Sequence, residues 1–351
     1  MVTIPVANLD LTGNEKRYLN EAFDSGILSF KGEFVKRFEN LFSSKHYAKY
    51  GIACINGTSA LTLALRAIGI REGDEVIVPE FTMIASAWAV NYAFAKPIFV
   101  DCDDNFLIDV EKIREKITNK TKVIMPVHIY GRQCNMKEIK KIAYEYNLRV
   151  IEDSCESHGL PLSGDIACFS LYGNKIISSG EGGICITNDE FFAKQLEHLR
   201  SMAFDEKHSF IHNKFAYNFR LSNLQAAIAL AQTERLEEFL HKRTIIENWY
   251  DENLKDIPQI KILPKRNYVW MYDILAENRD KLMTYLLTKG IETRRFFEPM
   301  SAQNMYRTED YKKLKAYEFS KKGLYLPTYI NLCEREIKYI VNQIKKFYEK
   351  D

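Results

Sequence analysis

Between residues 50 and 153 one pattern repeats: a short apolar run, a turn, then a longer segment whose apolar residues recur every three or four positions. The runs at 52–55, 75–79, 97–100, 122–127 and 148–152 read as strands, and 58–68, 82–94, 109–117 and 136–146 as the helices between them. Strands separated by helices cannot pair as hairpins. They build an α/β fold with a mostly parallel central sheet covered by helices on both faces, and ligands bind beyond the carboxyl ends of such strands. With 351 residues and 46% hydrophobic content the chain can bury this sheet and still form a smaller unit. We expect a large α/β domain over 1–235 and a small α+β C-terminal domain over 236–351. One long helix over 222–253 would bridge them, with a stripe through Leu224, Ala227, Ile228, Ala231, Leu236 and Phe239.

Chemistry concentrates at three places along this pattern. The segment 164–187 reads as two apolar strands joined by an exposed turn and a Ser/Gly-rich link, and the turn carries a single lysine, Lys175. An amine flanked by uncharged residues and held near apolar strands is easily desolvated, which favours a neutral nucleophile able to form a Schiff base; the competing reading is a solvated loop lysine. Asp153 closes the strand at 148–152 and so projects at the ligand edge, where a carboxylate can serve a cationic ligand atom, a helix cap or a metal. The strand, glycine turn and helix start at Gly57, Thr58 and Ser59 suit an anion, because the first amides of a helix are unpaired and its dipole is positive there; a plain N-cap is the alternative.

The motifs FSLYGNKIISSGEGG, IEDSCESHG upstream of it and YNFRLSN downstream resemble the signature of the DegT/DnrJ/EryC1/StrS sugar aminotransferases, most closely the perosamine and viosamine synthase branch. The similarity runs in order from about Pro5 to the end of the chain. It implies a fold-type-I, aspartate aminotransferase-like enzyme that uses pyridoxal 5'-phosphate. On the matching positions, Lys175 is the Schiff-base lysine and general base, Asp153 the partner of the pyridine nitrogen, and Gly57, Thr58, Ser59 and Ser170 the phosphate site. Met83 covers the pyridine ring and Glu156 lies near the 3-hydroxyl. Asn218 is expected to reach across a homodimer interface to the neighbour's cofactor phosphate, so that active sites are shared. In GIETRRFFEPM, Arg294 with Phe296 and Phe297 would hold the nucleotide's phosphates and base, and Arg220 is a candidate for a carboxylate or diphosphate, with a structural ion pair as its competitor. The implied reaction moves an amino group from L-glutamate to C4 of a nucleotide-linked 4-keto-6-deoxyhexose. Amination at C3, a dehydratase of the same fold and a non-catalytic member are the alternatives; Lys175 argues against the dehydratase, in which histidine usually replaces it. Two departures stand out: a short link over 159–164, and Ser301 and Ala302 where a histidine is often found.

Composition narrows the remaining classes. A net charge of +2 with 27% charged residues is not the footprint of a nucleic-acid binder. The most apolar window, 81–95, is interrupted by Asn91 and too short to span a bilayer, and the first residues show no secretory leader. Seven scattered cysteines without a C-x-x-C pair fit a reducing cytoplasm. His208 and His212 are four apart but have no third ligand in sequence, so no metal is expected.

Overall fold

The computed structural model describes residues 3–204, 210–212 and 214–349. Helices α1 (Glu15–Asp24) and α2 (Glu33–Lys45) precede the alternating region: β1 (Tyr50–Cys54), α3 (Gly57–Ile68), β2 (Glu75–Pro79), α4 (Ala85–Tyr92), β3 (Lys96–Val100), α5 (Val110–Lys116), β4 (Thr121–Ile124), α6 (Met136–Glu145) and β5 (Arg149–Asp153). Then follow β6 (Ile166–Ser170), β7 (Gly183–Thr187), α7 (Glu190–Arg200), α8 (Asn223–Glu234) and α9 (Leu236–Leu254). Among the described residues seven strands form one sheet in the order β1-β7-β6-β5-β4-β2-β3, parallel from β6 through β3, with β7 antiparallel to both its neighbours. The sheet is buried on both faces because successive strand residues point to opposite sides. Val76, Val78, Val123 and Ile151 pack beneath α3, while Ile77, Ile124 and Val150 meet Ile113 and Ile139 of α5 and α6. Gly69, at φ +99°, ends α3 in the left-handed conformation that favours glycine.

A second, antiparallel sheet is built from β8 (Ile260–Ile262), β9 (Tyr272–Ala276), β10 (Arg294–Arg295) and β11 (Gly323–Leu326), in the order β10-β11-β9-β8. Helices α10 (Arg279–Thr288), α11 (Lys315–Lys322) and α12 (Glu334–Tyr348) complete this part. Ile337, Ile340, Val341 and Ile344 of α12 recur at helical spacing and bury against Ile274, Leu282 and Tyr250. Ile4 joins the same core and bridges Ile291, so the start of the chain packs on the second sheet. No helix among the described residues is long and apolar enough to cross a membrane.

Two expected helices are corrected. The segment 222–253 is two helices, broken at Arg235 (φ −100°, ψ 12°). The Arg235 guanidinium donates to Asp10 at 2.7 Å and to Glu238 at 2.9 Å, which pins the corner and turns α9 away from α8 toward the second sheet. The expected helix at 82–94 is confined to α4, because Thr82 and Met83 stay outside it and the Thr82 hydroxyl lies 2.8 Å from that of Ser86.

One glycine joins the two parts. Gly131, at φ +81°, accepts the amides of Asn267 and Tyr268, and a Cβ there would sit 1.6 Å from the Tyr268 carbonyl oxygen. Gly131→Ala is therefore expected to destabilise the protein by roughly 3 kcal/mol or more, from left-handed strain plus a backbone clash. Urea unfolding checks this; a loss under about 1 kcal/mol would contradict it.

Candidate active site

At the carboxyl ends of the parallel strands a cavity of about 450 Å³ collects the start of α3, the end of β5 and the turn after β6. Asn56 leaves β1 in an extended conformation and its side chain accepts the Ser59 amide at 2.8 Å. The amides of Gly57 and Thr58 lie ahead of any carbonyl their own helix can offer, at the positive end of its dipole. Gly57 has to be bare: a Cβ would lie 2.9 Å from Cβ of Ser170 and 3.0 Å from Sγ of Cys155. The result is a cradle of amides with the Ser170 hydroxyl beside it.

Asp153, the last residue of β5, is buried and fixed from two sides. The Ser86 hydroxyl donates to Oδ2 at 2.7 Å and the Cys155 amide to Oδ1 at 3.1 Å. The link that follows is short but tied down. Ser163 and Gly164 donate their amides to Glu152 at 2.8 and 2.6 Å, and Gly159 donates to Nε2 of His46 at 2.9 Å. His158, expected to be structural, lies fully buried against Phe42 and Phe169, and burial holds its imidazole neutral.

Lys175 follows a tight turn in which its amide donates to the Tyr172 carbonyl at 2.9 Å. Its side chain is only 11% exposed, with Nζ 3.8 Å from Oε1 of Glu156 and 4.0 Å from the centroid of the Trp270 ring. Trp270 donates Nε1–H to the Asn174 carbonyl at 2.8 Å, and the buried Arg243 guanidinium holds the Trp270 carbonyl at 2.6 Å, so the indole is fixed against the lysine-bearing turn. A desolvated cation over an indole face gains about 2 kcal/mol.

Glu156 accepts the Tyr130 amide on its other oxygen at 3.0 Å. Burial raises its carboxyl from the usual 4.5 to about 7, against the opposing pull of the Lys175 ammonium. The folded protein thus holds this proton more tightly than the unfolded chain. Its stabilising contribution is complete below about pH 4.5 and is lost as pH rises through about 7. Glu156→Gln is expected to flatten that part of the stability–pH curve, by on the order of 3 kcal/mol between its limits. Urea unfolding of the cofactor-free protein across the window measures the slope, and an unchanged slope contradicts the assignment.

Of the residues singled out in the sequence, Gly57, Thr58, Met83, Asp153, Glu156, Ser170, Lys175, Arg294 and Phe297 line this one cavity. Four do not. Ser59 spends its amide on the Asn56 cap and faces a neighbouring recess. Asn218 accepts Nε–H of Arg220 at 2.7 Å, Arg220 stacks over Phe30 at 4.8 Å, and neither lines the cavity of its own chain. Phe296 is a correction: its ring is buried among Phe81, Phe106 and Tyr130, over a backbone gap left by Gly323, where a Cβ would come within 2.0 Å of it. Trp270 and Tyr325 line the cavity and Ser86 holds Asp153, and sequence reasoning singled out none of the three; only the i, i+4 relation of Ser86 to Thr82 offered a local signal. His212 bonds the Met202 carbonyl at 2.8 Å, His208 lies outside the described residues, and no metal-holding group of three His, Cys, Asp or Glu side chains occurs among the described residues.

The cavity fits pyridoxal phosphate on its own donors: a bare amide cradle with a hydroxyl for a phosphate ester, a fixed carboxylate for a protonated ring nitrogen, and a largely buried amine in the same cavity. A family model described as the DegT/DnrJ/EryC1/StrS aminotransferase family matches residues 10–345. The chain is 40% identical over 361 residues to the GDP-perosamine synthase of Escherichia coli O157:H7, covering 99% of each. It is also 40% identical to the GDP-perosamine synthase of Caulobacter vibrioides, over 96% of each. The solved structure of ntda from Bacillus subtilis with bound cofactor PMP superimposes with a TM-score of 0.83 at 29% identity, over 95% of this chain and 81% of that one.

Proposed function

The chain belongs to the DegT/DnrJ/EryC1/StrS aminotransferase family, a family of pyridoxal-phosphate enzymes, and from that membership we propose that it moves the amino group of L-glutamate to C4 of a GDP-linked 4-keto-6-deoxyhexose. The product is a 4-amino-4,6-dideoxy sugar of the perosamine type. The observation that carries this reading is the fixed Lys175 amine, set between Glu156 and Trp270 in the cavity that also holds Asp153, in a chain similar along its whole length to GDP-perosamine synthases.

When bound, pyridoxal phosphate supplies an electron sink beside the carbon that loses its proton, and carries the amino group between the two substrates. The protein does the rest. The amides of Gly57 and Thr58 and the Ser170 hydroxyl take the phosphate, and Asp153, oriented by Ser86, holds a proton on the ring nitrogen. Lys175 removes the α-proton of glutamate and, in the return direction, delivers a proton to C4 of the acceptor. Glu156, within 3.8 Å, balances the charge that Lys175 gains. Met83 and Phe297 supply apolar wall to the cavity. Arg294, paired with Glu292 at 3.1 Å and more than half exposed, can exchange that carboxylate for a substrate anion.

Purified protein supplied with pyridoxal phosphate and L-glutamate should release about one equivalent of 2-oxoglutarate per active site in a single burst. Addition of GDP-linked 4-keto-6-deoxymannose should then restore the starting spectrum and yield an aminated sugar, with the position read by NMR. Amination at C3, or turnover with dTDP- or UDP-linked ketosugars alone, overturns the acceptor; failure with glutamate overturns the donor.

We also propose a homodimer in which Asn218 serves the partner's cavity, since it lines none of its own. Mixed dimers of Lys175→Ala and Asn218→Ala chains carry one site with both defects and one with neither, and are expected to regain about half of wild-type activity per dimer. Equal, unrestored loss in the mixture would place Asn218 with its own chain's site.

A further inference from the structure

A second cavity of about 450 Å³ lies outside the catalytic one and shares Thr82, Met83 and Phe297 with it as common walls. Trp88 of α4 forms one side, and Met300, Gln303, Asn304 and Met305 the other. We propose that this outer cavity is the subsite for the base of the nucleotide-linked acceptor, with Trp88 as its stacking face and the side-chain amides of Gln303 and Asn304 as its hydrogen-bonding edge. The inference rests on the reading of the protein as a nucleotide-sugar aminotransferase.

Connectivity and charge both support it. An acceptor whose reacting sugar sits at Lys175 needs a cation for its diphosphate and a further compartment for its base. Arg294 lines the inner cavity, while no lysine or arginine lines the outer one among the described residues. Walls of thioether and indole, with two amide side chains and the Glu298 carboxylate at the edge, suit a flat, uncharged ring with hydrogen-bonding groups on its rim and repel a phosphate. Neither amide side chain is spent on another protein group among the described residues.

The walls are also held in place, which limits the ordering cost of binding. Glu80, buried just beyond β2, accepts both the amide of Ser301, at 2.8 Å, and its hydroxyl, and the Met300 amide donates to the Glu80 carbonyl at 2.9 Å. Ser301, which with Ala302 occupies the place where the family often has a histidine, clamps the loop to the large sheet. On the opposite side Trp88 donates Nε1–H to Sδ of Met305 at 3.1 Å, and the Tyr306 hydroxyl donates to Asn91. Trp88 borders a further recess of about 600 Å³ as well, but that recess meets the catalytic cavity only at Asn56 and Thr58, the end already committed to the cofactor phosphate.

The test is calorimetric titration of the pyridoxal-phosphate-loaded enzyme with GDP and, separately, with inorganic pyrophosphate. Trp88→Leu is expected to raise the Kd for GDP roughly tenfold or more by loss of base stacking. Asn304→Ala, at an exposed position where folding is not at risk, should raise it roughly fivefold. Pyrophosphate affinity should stay within twofold in both variants, because no base is present. If GDP binds wild type and both variants alike, the base lies elsewhere and this inference fails while the aminotransferase reading stands. If the loaded wild-type enzyme binds neither GDP, UDP nor dTDP, the nucleotide-sugar reading fails and the subsite with it.

Discussion

Lys175→Ala is expected to lower turnover roughly 10⁴-fold or more while leaving the fold intact. The amine is held by the turn amide to Tyr172, by the Trp270 face and by Glu156, and no other lysine lines the cavity among the described residues. Its removal takes from Glu156 the larger of the two influences that lower its carboxyl and leaves only the Tyr130 amide, so this glutamate becomes neutral more readily and remains tolerable where it is buried. Lys175→Arg separates chemistry from charge. It keeps a cation near Glu156 and Trp270 but cannot give up its proton at ordinary pH, and should be as inactive as the alanine variant. Single-turnover release of 2-oxoglutarate, with thermal unfolding as the control for folding, makes the measurement. Activity within tenfold of wild type in either variant would remove Lys175 from its role.

Asp153→Asn is expected to cost roughly 10²- to 10³-fold in the glutamate half-reaction, with little change in stability. Asparagine preserves the shape and can still accept the Cys155 amide, so the end of β5 is retained. What disappears is the negative charge that favours a protonated ring nitrogen. Ser86→Ala, which removes the hydroxyl donating to Oδ2 at 2.7 Å but keeps the charge, should cost only about tenfold. If Asp153→Asn and Ser86→Ala were equal in effect, orientation rather than charge would be the function of this carboxylate.

Features set by local pattern and parallel topology were legible in the sequence. Asp153 reaches the ligand edge because it ends a strand of the parallel sheet, and Gly57 and Thr58 reach it because a glycine turn opens the next helix. Lys175 joins them because the strand before it pairs in parallel with β5, bringing the same end forward. The strand end and the glycine turn follow from neighbours a few residues away, while the roles of these residues and the grouping of Lys175 with them were implied by the family resemblance.

Only the tertiary structure decided what distant segments bring. Trp270 lies 96 positions from the Asn174 carbonyl it bonds, and nothing in the segment leading into β9 marks it as the wall of a lysine site. The break between α8 and α9 depends on Asp10, 225 positions from Arg235, so the apolar stripe through that region reads as a single helix until the corner is seen. Phe296 and Phe297 follow directly on β10, both rings touch Phe81 and Tyr130, and their identical side chains cannot say which is buried completely. Gly323 on β11 decides it by leaving room for the Phe296 ring, which turns Phe297 to the cavity. Local sequence determined which chemistry stands at the strand ends; long-range packing determined which aromatic walls close around it.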